Sequence, residues 1–324
     1  MKLKKPFSTL TTELFGALFL CLLFGCSPKE NDQAKIPTDR PFLMILGVAQ
    51  DAGYPQAGQS QEWKQLKSGE RTLGLATSLG IIDPVSNQRW LFEATPHFNR
   101  QLNLMDEISK TTHYPYDGIF LTHAHIGHYT GLIHLGREVM GAQNIPVYAM
   151  PGMRYFLTNN GPWSQLVSLK NIDLKPLANK APAQLNERIS VMPIQVPHRD
   201  EFSETVGFVI HVLDKKLLFI PDIDKWEKWN ESILDWIKKV DIALLDATFY
   251  SNGEIPGRDM SEIPHPFVEE SMTLFANLSP EDKAKVHFIH FNHTNPLLMS
   301  ESAETRLVQE AGFKVAKQGQ ILEF

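Results

Sequence analysis

A chain of 324 residues with 43% hydrophobic and 21% charged side chains has the balance of a globular protein with a sizeable core. Its formal net charge of −6, with no basic cluster beyond the first residues, argues against nucleic acid as a partner, because the cations that neutralise phosphate in such complexes are missing. Both cysteines, Cys21 and Cys26, lie near the start, so the rest of the chain offers no thiol ligand and no disulfide.

The chain opens with the basic MKLKK, continues through an uncharged stretch at 14–24, and closes it with LFGC at 23–26. That layout is a secretory signal, and the apolar stretch falls well short of the roughly 20 residues a helix needs to cross a bilayer. LFGC resembles the bacterial lipobox, which implies cleavage before Cys26 and lipid attachment to its thiol. Residues 1–26 are therefore predicted to be a lipoprotein signal peptide. The protein is expected in the bacterial cell envelope, held outside the cytoplasm at the outer membrane or periplasmic face through the lipid. Cleavage would remove Lys2, Lys4, Lys5 and Glu13 and leave the remainder more acidic.

Residues 27–40, SPKENDQAKIPTDR, are polar with two prolines and read as a flexible tether. A single domain is predicted over 41–324. FLMILGVAQ is a strand candidate, and TSLGIIDP with RWLFEATP reads as a hairpin turning at 84–87. QLNLMDEIS has helical spacing, DGIFLTHAH is a strand running into a loop, and GLIHLGREVMGAQ is predicted helical. IPVYAM and ISVMPIQVPH are strands, TVGFVIHVLDKKLLFIPD is a hairpin, SILDWIKKV is a helix and DIALLDATF is a strand. HPFVEESMTLFANL and AETRLVQEAGF are predicted helices, and KVHFIHFNH and KVAKQGQILEF are predicted strands. Hairpins mixed with strand–helix units predict two mixed sheets covered by helices, a four-layer αββα sandwich of the α/β class.

The histidines and aspartates that matter fall where strands end. HAHIGH, with His123, His125 and His128, follows DGIFLT; His198 follows ISVMPIQVP; Asp222 follows KKLLFIP; and His290 follows KVHFI. Imidazole and carboxylate are the natural ligands of a catalytic zinc or similar ion that keeps a position open for water. Strands ending in such residues can bring them to one rim. His293 competes with His290 for the last place, and His290 is preferred because it ends the apolar run. His293, and Asp51 in AQDAGYPQ, are candidates for groups beside the ligands. His97, His113, His134, His211 and His287 read as structural or solvent-facing. The tryptophans and phenylalanines of DKWEKW, SILDWI and SMTLFANL read as core, and NGPW at 160–163 as a turn.

Taken in order, these residues resemble the metallo-β-lactamase superfamily, whose signature is His-x-His-x-Asp-His followed by a distant His, an Asp and a final His. The resemblance runs from about residue 42 onward. It implies one ion on His123, His125 and His198, a bridging Asp222, and a second ion on His128 and His290. Gly127 stands where the signature has aspartate, which predicts that the second position has lost a carboxylate. Within the superfamily, LGVAQDAGYPQ, RTLGLATSLG, FEATPHFNRQL, LLDATFY and FIHFNHTNP are similar to segments of the pyrroloquinoline-quinone biosynthesis protein B family (PqqB-like). That family carries a cysteine cluster after PQ, where this chain has AGQSQEW, and partly replaces the signature histidines that this chain keeps. LLDATF is also similar to a strand of transfer-RNA 3′-processing relatives, which implies that Asp246 and His265 assist proton transfer.

The expected activity is metal-dependent hydrolysis of a small ester, phosphodiester or amide-type substrate. Asp222, Asp246 and His265 would be catalytic, with one or two divalent ions, zinc first and iron or manganese next. Two other readings are an iron-dependent oxygenase, using a face such as His128, Asp222 and His290, and a non-catalytic binding lipoprotein.

Overall fold

A computed structural model describes residues 36–109 and 116–323. The expected signal peptide, Cys26, most of the expected tether and His113 lie outside the described residues. Ile36 to Arg40, the end of the expected tether, already touch the domain: Ile36 packs on an apolar cluster and the Arg188 guanidinium donates to the Asp39 carbonyl at 2.9 Å.

Strands β1 (Phe42–Gly47), β2 (Ser78–Asp83), β3 (Gln88–Phe92), β4 (Gly118–Phe120), β5 (Ile145–Ala149) and β6 (Ile172–Pro176) build one sheet. Strands β7 (Ala183–Gln184), β8 (Ile189–Gln195), β9 (Val206–Val212), β10 (Lys215–Ile220), β11 (Ile242–Asp246), β12 (Val286–Ile289) and β13 (Lys314–Val315) build the other, in reverse numerical order. A last strand, β14 (Ile321–Glu323), returns to the first sheet and pairs antiparallel with β1. The fold is the αββα sandwich. β1 and β4 read as continuous apolar runs because they are buried on both faces, one toward helices and one toward the other sheet. Between the sheets, Phe92 stacks on Phe120 at 4.9 Å and meets Phe208 and Phe219 edge-on. Truncating any one of these fully buried rings to alanine should cost about 3–5 kcal/mol.

Two predicted elements differ. GLIHLGREVMGAQ forms only a short 3-10 turn, Thr130–Leu135, not an α-helix. Gly136 is extended there, Gly141 sits at φ 53°, and Gly131 packs so tightly that a Cβ would lie 2.1 Å from the Thr95 carbonyl oxygen. KVAKQGQILEF is two strands in different sheets, β13 and β14, because the chain turns at Gly319 (φ 82°), whose N–H reaches the Ile45 carbonyl.

Direction matters more than element count. β3, β4, β5 and β6 run parallel, as do β10, β11, β12 and β13. β1 shares the direction of β3 through two antiparallel pairings, and β8 that of β10. The C-terminal ends of β1, β3 and β4 therefore lie on one rim of the first sheet, and those of β8, β10, β11 and β12 on one rim of the second. Open α/β sheets place ligand sites beyond such strand ends.

Candidate metal centre

Each of those strand ends delivers a polar side chain to one place. His123, His125, His198 and Asp222 present ligand atoms within 4.8 Å of one another, Asp51, His128 and His290 form a second such set, and Asp222, Asp246 and His265 a third. Asp222 lies between them: its carboxylate is 3.5 Å from His123 Nε2, 3.6 Å from His128 Nε2 and 3.4 Å from His198 Nε2.

The histidines are oriented by outer partners, the arrangement that fixes tautomer and aim at metal sites. His123 Nδ1 meets the Thr122 hydroxyl at 2.9 Å, His198 Nδ1 meets Asp224 at 3.2 Å, and His290 Nδ1 meets the Thr248 hydroxyl at 2.9 Å. His125 Nε2 meets Glu201 at 2.8 Å, and His128 Nδ1 faces Glu93 at 3.5 Å. The opposite nitrogens point inward. The Nε2 atoms of His128, His198 and His290, with Asp51 Oδ1 and Asp222 Oδ1, are buried and have no hydrogen-bond partner. Each would cost about 1–3 kcal/mol if left so. Imidazole nitrogens and carboxylate oxygens converging without partners are the donor set a divalent cation satisfies, so these residues fit one.

The charge state of the rim follows from burial against neighbours. Burial pushes the Asp222 carboxyl up, but His198, His265 and His123 outweigh it and hold the group well below the ordinary carboxylate range. Burial likewise opposes ionisation of Asp51, and His128 overrides it downward. His128 is driven well above its usual value because Glu93 and Asp51 outweigh desolvation. His123, His198 and His290 are lowered, by burial first. His265 is raised to about 9: desolvation works against this, and the Asp246 and Asp222 charges win. Its Nδ1 sits 2.8 Å from Asp246 and 3.1 Å from Asp222.

His265 lines a cleft of about 590 Å³ beside the rim with Gln50, Asp51, Arg199, Arg258 and His293. His293 is apart from the ligand sets and bonds Glu62 at 2.6 Å, whereas His290 is fully buried within one. Gly127 offers no carboxylate at the second position, and the Asp51 carboxylate lies 3.3 Å from His128 Nε2. Sequence reasoning missed Glu93, Asp224, Glu201 and Thr248. Glu93 was within reach of the same strand-end argument, since it follows β3 directly. Thr248 joins Asp246, His265 and His290 through one hydroxyl, at 2.7, 3.3 and 2.9 Å.

An αββα sandwich whose strand ends gather histidines and carboxylates at one rim is a metallo-β-lactamase-type protein. Residues 82–290 match the family described as the beta-lactamase superfamily domain, and the chain belongs to that superfamily. Within it the chain is similar to PqqB proteins. It is 26% identical over 309 residues to coenzyme PQQ synthesis protein B of Klebsiella pneumoniae, covering 86% of this chain and 96% of that protein. The zinc-bound PqqB of Methylobacterium extorquens has the same fold, with a TM-score of 0.72, 21% identity and coverage of 87% and 100% of the two chains. A diphosphatase of the PhnP family is similar at a TM-score of 0.59 and 19% identity, covering 88% of this chain and 97% of its own.

Proposed function

We propose that the protein is a zinc-dependent hydrolase of small ester, phosphodiester or amide-type substrates. The observation that carries this is the set of inward-facing, unpartnered ligand atoms grouped around Asp222 at the mouth of a polar cleft. His123, His125 and His198 would hold one ion, with Asp222 between it and a second near His128 and His290. A bound divalent ion brings a water near pKa 7 and polarises a carbonyl or phosphoryl oxygen. Zinc is favoured by the imidazole-rich donors and by the zinc carried by the M. extorquens relative.

The chain's own groups supply the rest. Asp222, ionised and fully enclosed, is placed to orient a water. His265, held by Asp246 at the cleft wall, can deliver a proton to a leaving atom. Arg199 and Arg258 in the same wall favour a substrate that carries negative charge, which puts phosphodiesters first. The relatives' naming for synthesis of a coenzyme, and a diphosphatase among the neighbours, support a small-molecule substrate. Cys26 would keep the activity at the membrane of the cell envelope, and Cys26→Ala should move the protein to the soluble fraction.

The test is metal content of the full chain purified without chelators, together with hydrolysis of bis(p-nitrophenyl) phosphate and p-nitrophenyl acetate. Zinc with chelator-sensitive turnover is the expected result; a metal-free or inert protein would refute the reading. A second reading, ferrous-iron oxygen chemistry, is favoured by the two-histidine, one-carboxylate face of His128, His290 and Asp51. Iron in the purified protein and substrate-dependent oxygen uptake would put it ahead.

A further inference from the structure

We infer that Asp51, on the loop after β1, is a metal ligand that replaces the carboxylate missing at Gly127, so that a second ion position is rebuilt from a different part of the chain. The inference rests on the metal centre proposed above. Gly127 lies between His125 and His128 and has no side chain to offer. A Cβ built on it would fall 2.3 Å from Asp51 Oδ1, 2.4 Å from Asp51 Cα and 2.9 Å from Asp51 Cβ. The loop thus occupies the volume that any side chain at 127 would need. One carboxylate can stand there, and it comes from residue 51.

Its aim is that of a ligand. Asp51 Oδ1 is buried with no hydrogen-bond partner, 3.3 Å from His128 Nε2 and 4.0 Å from His290 Nε2, and neither of those nitrogens has a partner. Both histidines are almost entirely buried. The loop is also fixed in place. Gln50 N–H donates to the Phe291 carbonyl at 2.7 Å, Phe291 N–H to the Val48 carbonyl at 2.8 Å, and Gly53 N–H to the Gln50 carbonyl at 2.8 Å. Gly47 and Gly53 close it from either side, since a Cβ would lie 2.0 Å from the Ala76 oxygen and 2.4 Å from a His97 ring carbon. Residue 51 is therefore stitched to the segment that carries His290, and the two ligands keep a common frame. Asp51 itself takes φ 30°, a conformation that aspartate tolerates better than most residues and that a tight site can hold.

The test is zinc stoichiometry of the full-length protein, read by elemental mass spectrometry after dialysis and by calorimetric titration, for the natural chain and for Asp51→Asn. The natural chain should hold two ions. Asp51→Asn, nearly isosteric, should hold one at unchanged affinity, with the other weakened by more than about 10-fold. Two ions with unaltered steps in Asp51→Asn, or one ion in the natural chain that the substitution leaves untouched, would overturn the inference alone. No metal in the natural chain would overturn the hydrolase reading and this inference with it. If Asp51→Asn does not fold, Asp51→Cys loaded with cobalt decides. A new sulfur-to-cobalt charge-transfer band, absent from the natural chain, supports ligation, and two bound cobalt ions without the band refute it.

Discussion

Replacing Gly127 with alanine adds one methyl group at the tightest point of the rim, and the sign of its effect is set by two opposed terms. Gly127 sits in the short helix Ile126–Tyr129, where alanine gains up to about 1 kcal/mol over glycine. Against that, the new Cβ meets three atoms of Asp51 at 2.3, 2.4 and 2.9 Å, and overpacking of this kind costs about 1–3 kcal/mol. The contact at 2.4 Å is with Cα, so a rotamer change cannot relieve it and the loop must move. We expect a net loss of about 1–2 kcal/mol, a drop of a few degrees in melting temperature for a domain of this size. The same shift should withdraw Asp51 from His128 and weaken one zinc-binding step. Thermal unfolding of the chelated protein and zinc titration read the two effects separately. Asp51→Gly in the alanine background should recover only part of the stability, because it clears the side-chain contacts and not the backbone one. An alanine variant that melts at or above the natural chain, with every zinc step intact, would refute the steric argument.

Asp222→Ala should lower zinc content at both positions, as measured by elemental analysis, since its two oxygens face histidines of both sets. His265→Gln should reduce kcat by about 10²–10⁴-fold with zinc content unchanged; loss of metal would make His265 a ligand instead. His287, buried on β12 beside Lys314, is held down to about 4 by desolvation first and the lysine second. Its stabilising contribution is therefore complete above its unfolded value near 6.5 and is lost as pH falls toward 4. Between pH 7 and pH 5 this amounts to about 2 kcal/mol, and urea midpoints of His287→Leu should show that much less acid sensitivity than the natural chain.

The sandwich and most of the rim were legible because strand-forming runs end in metal-binding residue types, as GIF runs into His123 and VHFI into His290. Asp51 was only half legible: a carboxylate before glycine in a loop reads equally as a turn, and nothing local shows that β1 ends facing Gly127. Glu93, Asp224 and Thr248 act through histidines on other strands, so their roles depend on register rather than on neighbours in the chain. The predicted helix at 131–143 failed for the opposite reason. Its apolar spacing was helical, but Gly131, Gly136 and Gly141 serve close packing and turns that periodicity does not reveal.

The pairing of β14 with β1 has a consequence for biogenesis. Phe42, Leu43 and Met44 meet Glu323, Leu322 and Ile321, so the first strand of the sheet finds this partner only far along the chain. Until β14 docks, that side of β1 is an open, apolar edge, the kind that recruits strands from other chains. A chain truncated before Ile321 should expose that edge and be a client for holding chaperones, and docking of β14 is the event that seals it.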